Sequence, residues 1–92
     1  MARATLELPS VLARVLGGTH RLEVEGATLR AALEDALRRQ PALRVHLFDE
    51  SGALRRHVLC FLNDTNTRWL DSPDQKLADG DRITILQAVS GG

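Results

Sequence analysis

One segment of the chain carries an apolar repeat at helical spacing that is long enough to cover a sheet. Leu29, Leu33 and Leu37 recur at intervals of four residues and therefore share one face of a helix. Thr28 supplies an N-cap hydroxyl in front of them, and Pro41 requires the helix to end before it. Because such a helix can bury its stripe only against another layer, the rest of the chain must provide that layer.

Four further segments have the apolar patterning of β-strands. They are residues 2–8, 19–24, 57–62 and 82–86. The order of two strands, one main helix and further strands predicts a single α+β domain over residues 1–92, a β-grasp with a mixed sheet covered by the helix. We expect the first strand to lie centrally, beside the last strand.

Details of this assignment depend on weaker patterns. The alternation in residues 19–24 places His20 on the inward face together with Leu22 and Val24. Residues 11–16 and 42–48 fit either a short helix or an ordered loop. Residues 63–66 predict a turn, and residues 67–70 a short edge strand after it.

Composition excludes several classes of function. Twelve basic and twelve acidic residues give a net charge of zero, which disfavours binding to nucleic acid or to an anionic membrane. No apolar run approaches the ~18 residues that a membrane-spanning helix needs. The single Cys60 cannot form an internal disulfide, so we expect a soluble protein of the reducing cytoplasm.

No motif for catalysis or metal binding is present. The chain has no phosphate-binding loop with a lysine, no HExxH and no CxxC. His20, His46 and His57 are far apart in sequence and lack metal-ligand spacing. Cys60 lies at an inward strand position, where burial would raise the pKa of its thiol. We therefore predict neither a metal site nor an enzyme.

Two features are not explained by a bare scaffold. In the strand at residues 57–62, Leu59 and Phe61 alternate away from the helix and have no evident cover. The chain ends in Gly91-Gly92, which carry no Cβ and can enter a narrow channel. Because five extended residues reach roughly 17 Å, a tail from about residue 87 could present its carboxylate to another enzyme's active site.

A set of short motifs runs in order along the chain: Gly26-Ala27-Thr28-Leu29, Pro41, Phe48-Asp49-Glu50 with Gly52, Asn63-Asp64, Leu77-Ala78-Asp79-Gly80-Asp81 and the terminal Gly91-Gly92. With these motifs the chain resembles the ThiS/MoaD-type ubiquitin-like sulfur carrier family, over essentially its full length. Within that family it looks most like the CysO-like carriers, on the strength of Val11-Leu12 with Gly17-Gly18, Asn63-Asp64 with Arg68, and Thr84-Ile85-Leu86 with Ala88-Val89.

This resemblance implies a carrier that binds no cofactor of its own. A ThiF/MoeB-like enzyme would use ATP and magnesium to adenylate the carboxylate of Gly92, beside Gly91, and a sulfur donor would convert it to a thiocarboxylate. In the CysO-like branch the sulfur passes to a pyridoxal-phosphate cysteine synthase, and a zinc metallopeptidase releases cysteine. A MoaD-like subunit of molybdopterin synthase, a protein modifier and a β-grasp binding domain remain alternatives.

The resemblance also suggests a role for the uncovered strand face, as a docking patch for the activating enzyme and the sulfur acceptor. An apolar centre with a charged rim suits such a patch. Its predicted members are Leu59, Phe61, Leu86, Val89, Arg56 and Arg68.

Overall fold

The computed structural model describes residues 2–51, 54–67 and 75–87. Its elements in chain order are β1 (Ala2–Glu7), α1 (Ser10–Val15), β2 (Arg21–Gly26), α2 (Leu29–Arg39), α3 (Leu43–Leu47), β3 (Val58–Leu62), β4 (Thr65–Asn66) and β5 (Arg82–Gln87). The strands form one sheet in the order β2-β1-β5-β3-β4. Strands β1 and β5 are parallel and every other neighbouring pair is antiparallel. The predicted β-grasp, with β1 beside the last strand, is confirmed.

Helix α2 begins and ends where the sequence predicts. The Thr28 side-chain oxygen accepts a hydrogen bond from the Ala31 backbone N–H at 3.2 Å, which satisfies one of the unpaired donors of the first turn. Arg38 and Arg39 occupy the last turn, where positive charge is favourable next to the helix carboxyl end. The helix stops at Arg39, ahead of Pro41.

The core lies between α2 and the inner face of the sheet. Alternating residues of β1, β2 and β5, among them Leu6, Val24, Ile83 and Ile85, have no exposed surface. Strand β3 contributes Val58, Cys60 and Leu62 to the same inner layer, from the other half of the sheet. Each large aliphatic side chain buried in this way stabilises the fold by about 1.5–3 kcal/mol.

Close packing of α2 onto β2 depends on Gly26. A Cβ at this position would lie 2.5 Å from the Ala32 backbone nitrogen and 2.8 Å from the Ala31 carbonyl carbon. These are backbone atoms, which cannot swing aside as a flexible side chain could. Gly26 therefore sets how closely the helix can follow the strand that precedes it.

Two details of the predicted strands are wrong. Strand β2 runs from Arg21 to Gly26 because it pairs with the whole of β1, as far as Ala2 opposite Gly26. His20 consequently precedes the strand and is exposed, not inward. Its backbone carbonyl still accepts a hydrogen bond from the Leu8 N–H, at 2.8 Å.

An edge strand forms within residues 63–66, the segment predicted to be a turn. It is β4, Thr65–Asn66, whereas Thr67 lies after it and residues 68–70 lie outside the described part of the chain. Asn63 adopts a positive φ of 56°, a conformation that asparagine tolerates better than most residues. With Leu62 paired to Thr65, the turn needs only two residues, so the chain returns into the sheet sooner.

Candidate functional site

The outer face of the sheet, on the side away from α2, carries an apolar strip. Leu59 of β3 is paired with Leu86 of β5, and Phe61 is paired with Thr84. Because paired residues project to the same face, Leu59, Phe61 and Leu86 lie together. Leu86 is 43% exposed, and Leu59 and Phe61 are partly exposed. We call these three residues the apolar strip.

The strip lies where the chain leaves the sheet. Gln87, the last residue of β5, is paired with Val58, the first residue of β3. The C-terminal segment therefore follows directly after Leu86, a member of the strip. Gly91 and Gly92, and Val89 between them and the strand, lie outside the described residues.

Of the two predicted rim arginines, one is described. Arg56 lies in the turn that leads into β3 and is exposed. The side chain of its neighbour Arg55 is directed toward α3, because its Nε donates a hydrogen bond to the Val45 carbonyl at 2.8 Å. Arg68 lies outside the described residues. The structure thus places Leu59, Phe61 and Leu86 together on the outer face, and Arg56 in the turn before β3. The role of these residues in docking stays a prediction.

The other half of the outer face is charged. Arg3 of β1 lies 3.6 Å from Glu25 of β2, and Arg21 lies 3.7 Å from Glu7 across the same pair of strands. These pairs are largely exposed, so they contribute little to stability. Their effect is to confine the apolar surface of this face to β3 and β5.

The inner face holds no reactive thiol. Cys60 is buried, and burial raises the pKa of its thiol to about 11, although a hydrogen bond with Thr67 opposes the rise. A thiol with that pKa is almost wholly protonated near neutral pH and a weak nucleophile. The predicted upward shift is confirmed.

Other titratable side chains do not form a ligand set. Within residues 2–51, 54–67 and 75–87, no three His, Cys, Asp or Glu side chains are grouped so as to hold a metal ion. Nor does any helix in those segments have the length and apolar character needed to cross a membrane.

Sequence analysis missed the role of Asp35, a buried charged residue of α2. Its carboxylate accepts hydrogen bonds from the Glu25 backbone N–H at 2.9 Å, Arg38 Nη2 at 2.9 Å and Arg39 Nε at 2.8 Å. The bonds from Arg39 and Arg38, followed by the one from Glu25, hold the pKa of Asp35 at about 2, below its ordinary 3.8. The arginines at i+3 and i+4 were the available signal.

The family markers also have a structural explanation, at the end of the sheet opposite the tail. Asn63 Oδ1 accepts from the Arg82 N–H at 3.0 Å, and Asn63 Nδ2 donates to Asp81 Oδ1 at 3.2 Å. Asp79 Oδ1 accepts from the Arg3 N–H at 2.8 Å. These hydrogen bonds join the turn before β4 to the start of β5, and the turn before β5 to β1.

Comparison with known proteins gives consistent results. The sequence profile described as the ThiS family matches residues 7–92. The sulfur carrier protein CysO of Mycobacterium tuberculosis is 34% identical over 90 residues, which cover 96% of this chain and 97% of that protein.

Two solved structures show the same fold over nearly the whole chain. One is the BexX/CysO complex of Amycolatopsis orientalis, with a TM-score of 0.83, 31% identity and coverage of 97% of this chain and 99% of that one. The other is small archaeal modifier protein 1 of Methanosarcina acetivorans, with a TM-score of 0.86, 28% identity and coverage of 100% and 98%. The chain belongs to the ThiS family, as a homologue of the CysO sulfur carrier proteins.

Proposed function

We propose that this protein is a sulfur carrier, not an enzyme, and that the carboxylate of Gly92 is its working group. Family membership and the similarity to CysO support this function. The observation that carries it is the placement of β5: Leu86 belongs to the apolar strip, and the chain continues from Gln87 toward the diglycine. A partner docked on the strip would therefore be adjacent to the start of the tail.

The proposed chemistry takes place on a partner enzyme of the ThiF/MoeB type. A carboxylate is a poor electrophile, so the partner first transfers AMP from ATP to it, with magnesium, and releases pyrophosphate. A sulfur donor then attacks the acyl carbon and displaces AMP, leaving a thiocarboxylate on Gly92. This chain contributes the acyl group at the end of an extended tail, and the two glycines at residues 91 and 92 let that tail enter a narrow channel. ATP and magnesium belong to the partner.

Cysteine biosynthesis is the destination that we propose for the sulfur. The support is the similarity to CysO of Mycobacterium tuberculosis. A CysO from Amycolatopsis orientalis, 31% identical to this chain, has been solved in a complex with BexX. The proposed acceptor is a pyridoxal-phosphate cysteine synthase, followed by a zinc metallopeptidase that frees the tail. We place these steps in the cytoplasm, the compartment that suits a buried, free Cys60.

Protein modification is a second candidate function. The similarity to small archaeal modifier protein 1, at 28% identity over the whole chain, favours it specifically. The same adenylated Gly92 could acylate a target lysine instead of a sulfur donor. High-mass conjugates that disappear when Gly92 is deleted would distinguish this function from sulfur transfer.

The first experiment is intact-protein mass spectrometry after incubation with a ThiF/MoeB-type enzyme, ATP, magnesium and sulfide. We expect one oxygen to be replaced by sulfur, at Gly92. A variant with one residue added after Gly92 is the matched control and should remain unchanged. Failure of the wild-type chain to form either an AMP adduct or a thiocarboxylate with several such enzymes would refute the carrier function.

The apolar strip is tested separately, by truncating its most exposed member. Leu86→Ala should raise the KM for the carrier in the adenylation reaction by about tenfold, because truncating a central apolar contact commonly costs on the order of 1–2 kcal/mol of binding. Val45→Ala is the matched control, since Val45 is 63% exposed on α3, outside the strip. Equal kinetics for the two variants would exclude docking on the strip.

A further inference from the structure

Among residues 2–51, 54–67 and 75–87, strand β2 is an edge of the sheet, and β1 is the strand that it pairs with. It has six residues, whereas β4 at the opposite edge has two. An edge strand of this length exposes a row of backbone donors and acceptors, which is a template for pairing with another strand. Strand β2 is therefore the edge at which the sheet could be extended.

Hydrogen bonds reveal which residues of β2 face the open edge. The Glu25 N–H donates to Asp35 Oδ2 at 2.9 Å, so it points away from β1. Backbone groups alternate in direction along a strand, which means that Arg21 and Glu23 also direct their N–H and C=O groups to the open edge. The backbone of His20 points the other way, toward β1, and its carbonyl accepts a hydrogen bond from the Leu8 N–H.

The end of β2 nearest α2 is closed to a further strand. The Glu25 N–H already donates a hydrogen bond to Asp35 and cannot pair with another strand. The part of the edge that remains available is residues 21–24.

The charges along β2 and the alternating direction of its backbone groups favour one register for pairing with a second copy of the chain. We infer that two copies pair antiparallel through β2 about a two-fold axis at Leu22. This register places Arg21 opposite Glu23 of the second copy, and Glu23 opposite its Arg21. The backbone groups of Arg21 and Glu23 point to the open edge, so each of these opposite pairs forms two N–H···O hydrogen bonds between the copies.

The neighbouring registers are disfavoured by the same residues. If the two-fold axis moves from Leu22 to Arg21, Arg21 lies opposite Arg21 of the second copy. If it moves to Glu23, Glu23 lies opposite Glu23. Like charges directly opposite each other on neighbouring strands are destabilising. The second shift also requires the Glu25 N–H, which Asp35 holds.

Side chains on the two faces fit the Leu22-centred register. Leu22 is partly buried against the core, and in the pairing it meets Leu22 of the second copy at the closest kind of cross-strand approach. Arg21 lies on the charged outer face, 3.7 Å from Glu7, with its side chain 77% exposed. A pair this exposed is weak, so Arg21 is free to turn toward Glu23 of the second copy.

The dimer leaves the proposed carrier surface open. Strand β1 separates β2 from β5 in the sheet, so the apolar strip and the start of the tail lie away from the pairing edge. The combined sheet keeps both outer faces on one side. Such a dimer would offer two C-terminal segments, and its existence does not depend on sulfur chemistry.

Charge reversal tests the register by sedimentation equilibrium from micromolar to millimolar concentration. Wild-type chain should pass reversibly from monomer to dimer as concentration rises. Arg21→Glu and Glu23→Arg should each weaken dimerisation by at least about tenfold, because both cross-strand pairs become like-charged. An equimolar mixture of the two variants should regain a heterodimer, and the double variant R21E/E23R should regain a homodimer.

Arg82→Glu is the matched control, since it reverses an exposed charge on the same face of the sheet but on β5, which β1 separates from the pairing edge. It should dimerise as the wild type does. Thermal melts of every variant confirm that the fold is retained. A wild-type chain that stays monomeric at millimolar concentration, or a mixture that gains no heterodimer, would overturn the inference whether or not Gly92 forms a thiocarboxylate.

Discussion

Asp35 is the buried charge on which the attachment of α2 to β2 depends, and Asp35→Asn is the change that tests it. The carboxylate accepts hydrogen bonds from Arg39, Arg38 and the Glu25 N–H at 2.8–2.9 Å. An asparagine of nearly the same shape can still accept one bond through its oxygen, but it carries no charge. The substitution therefore removes the electrostatic contribution with little change in packing.

The magnitude follows from the pKa. A fall in the pKa of Asp35 from 3.8 to about 2 corresponds to about 2.4 kcal/mol of stabilisation of the charged form. The side chains of Arg38 and Arg39 are 72% and 46% exposed, so solvent screening reduces this value. We expect Asp35→Asn to lower the free energy of unfolding by roughly 1–2 kcal/mol at pH 7, and Tm by about 5–12 °C.

The pH dependence provides the sharper test. The pKa of Asp35 is lower in the folded state than in the unfolded state, so its contribution is fully present above pH 3.8 and is lost as the pH falls through about 2. Urea unfolding of wild type and variant should therefore differ at pH 7 and converge near pH 2. Glu34→Gln removes an exposed neighbouring charge as the control. An Asp35→Asn deficit that persists unchanged at pH 2 would refute the electrostatic account.

Three further predictions follow from the packing. Gly26→Ala should lower the free energy of unfolding by roughly 2 kcal/mol or more, because its Cβ would lie 2.5 Å from the Ala32 nitrogen; unchanged urea midpoints would contradict this. Asn63→Ala should lower the free energy of unfolding by about 1–3 kcal/mol, because it loses two hydrogen bonds and places alanine at a positive φ. Asn63→Gly should lower it less, since glycine tolerates that φ; the reverse order in thermal melts would exclude backbone strain. Cys60, with its pKa of about 11, should resist iodoacetamide at pH 8 until the chain is unfolded, as mass spectrometry can show; rapid labelling of the folded protein would disprove its burial.

Interpretation of the sequence succeeded where local chemistry and periodicity agree. Thr28 and Pro41 delimit α2 because capping and steric exclusion act within a few residues. The alternation of Ile83 and Ile85 in β5 fixes which face is buried, since a strand has a period of two. The uncovered positions of Leu59 and Phe61 follow from the same period. Each of these signals needs no information about distant parts of the chain.

Only the tertiary structure decided how those elements meet. Alternation shows that Leu86 faces outward, but its place beside Leu59 depends on the β3–β5 register. Asp35 looks like one more surface carboxylate until the fold brings the Glu25 amide to it. Hydrogen bonds and charges act over a few ångströms, and the residues that share them here lie up to 76 positions apart in the sequence, as Arg3 and Asp79 do. The sequence by itself determined the main helix, the buried faces of β1, β3 and β5, and the family; the register between strands decided where β2 and β4 begin and which side chains form a surface.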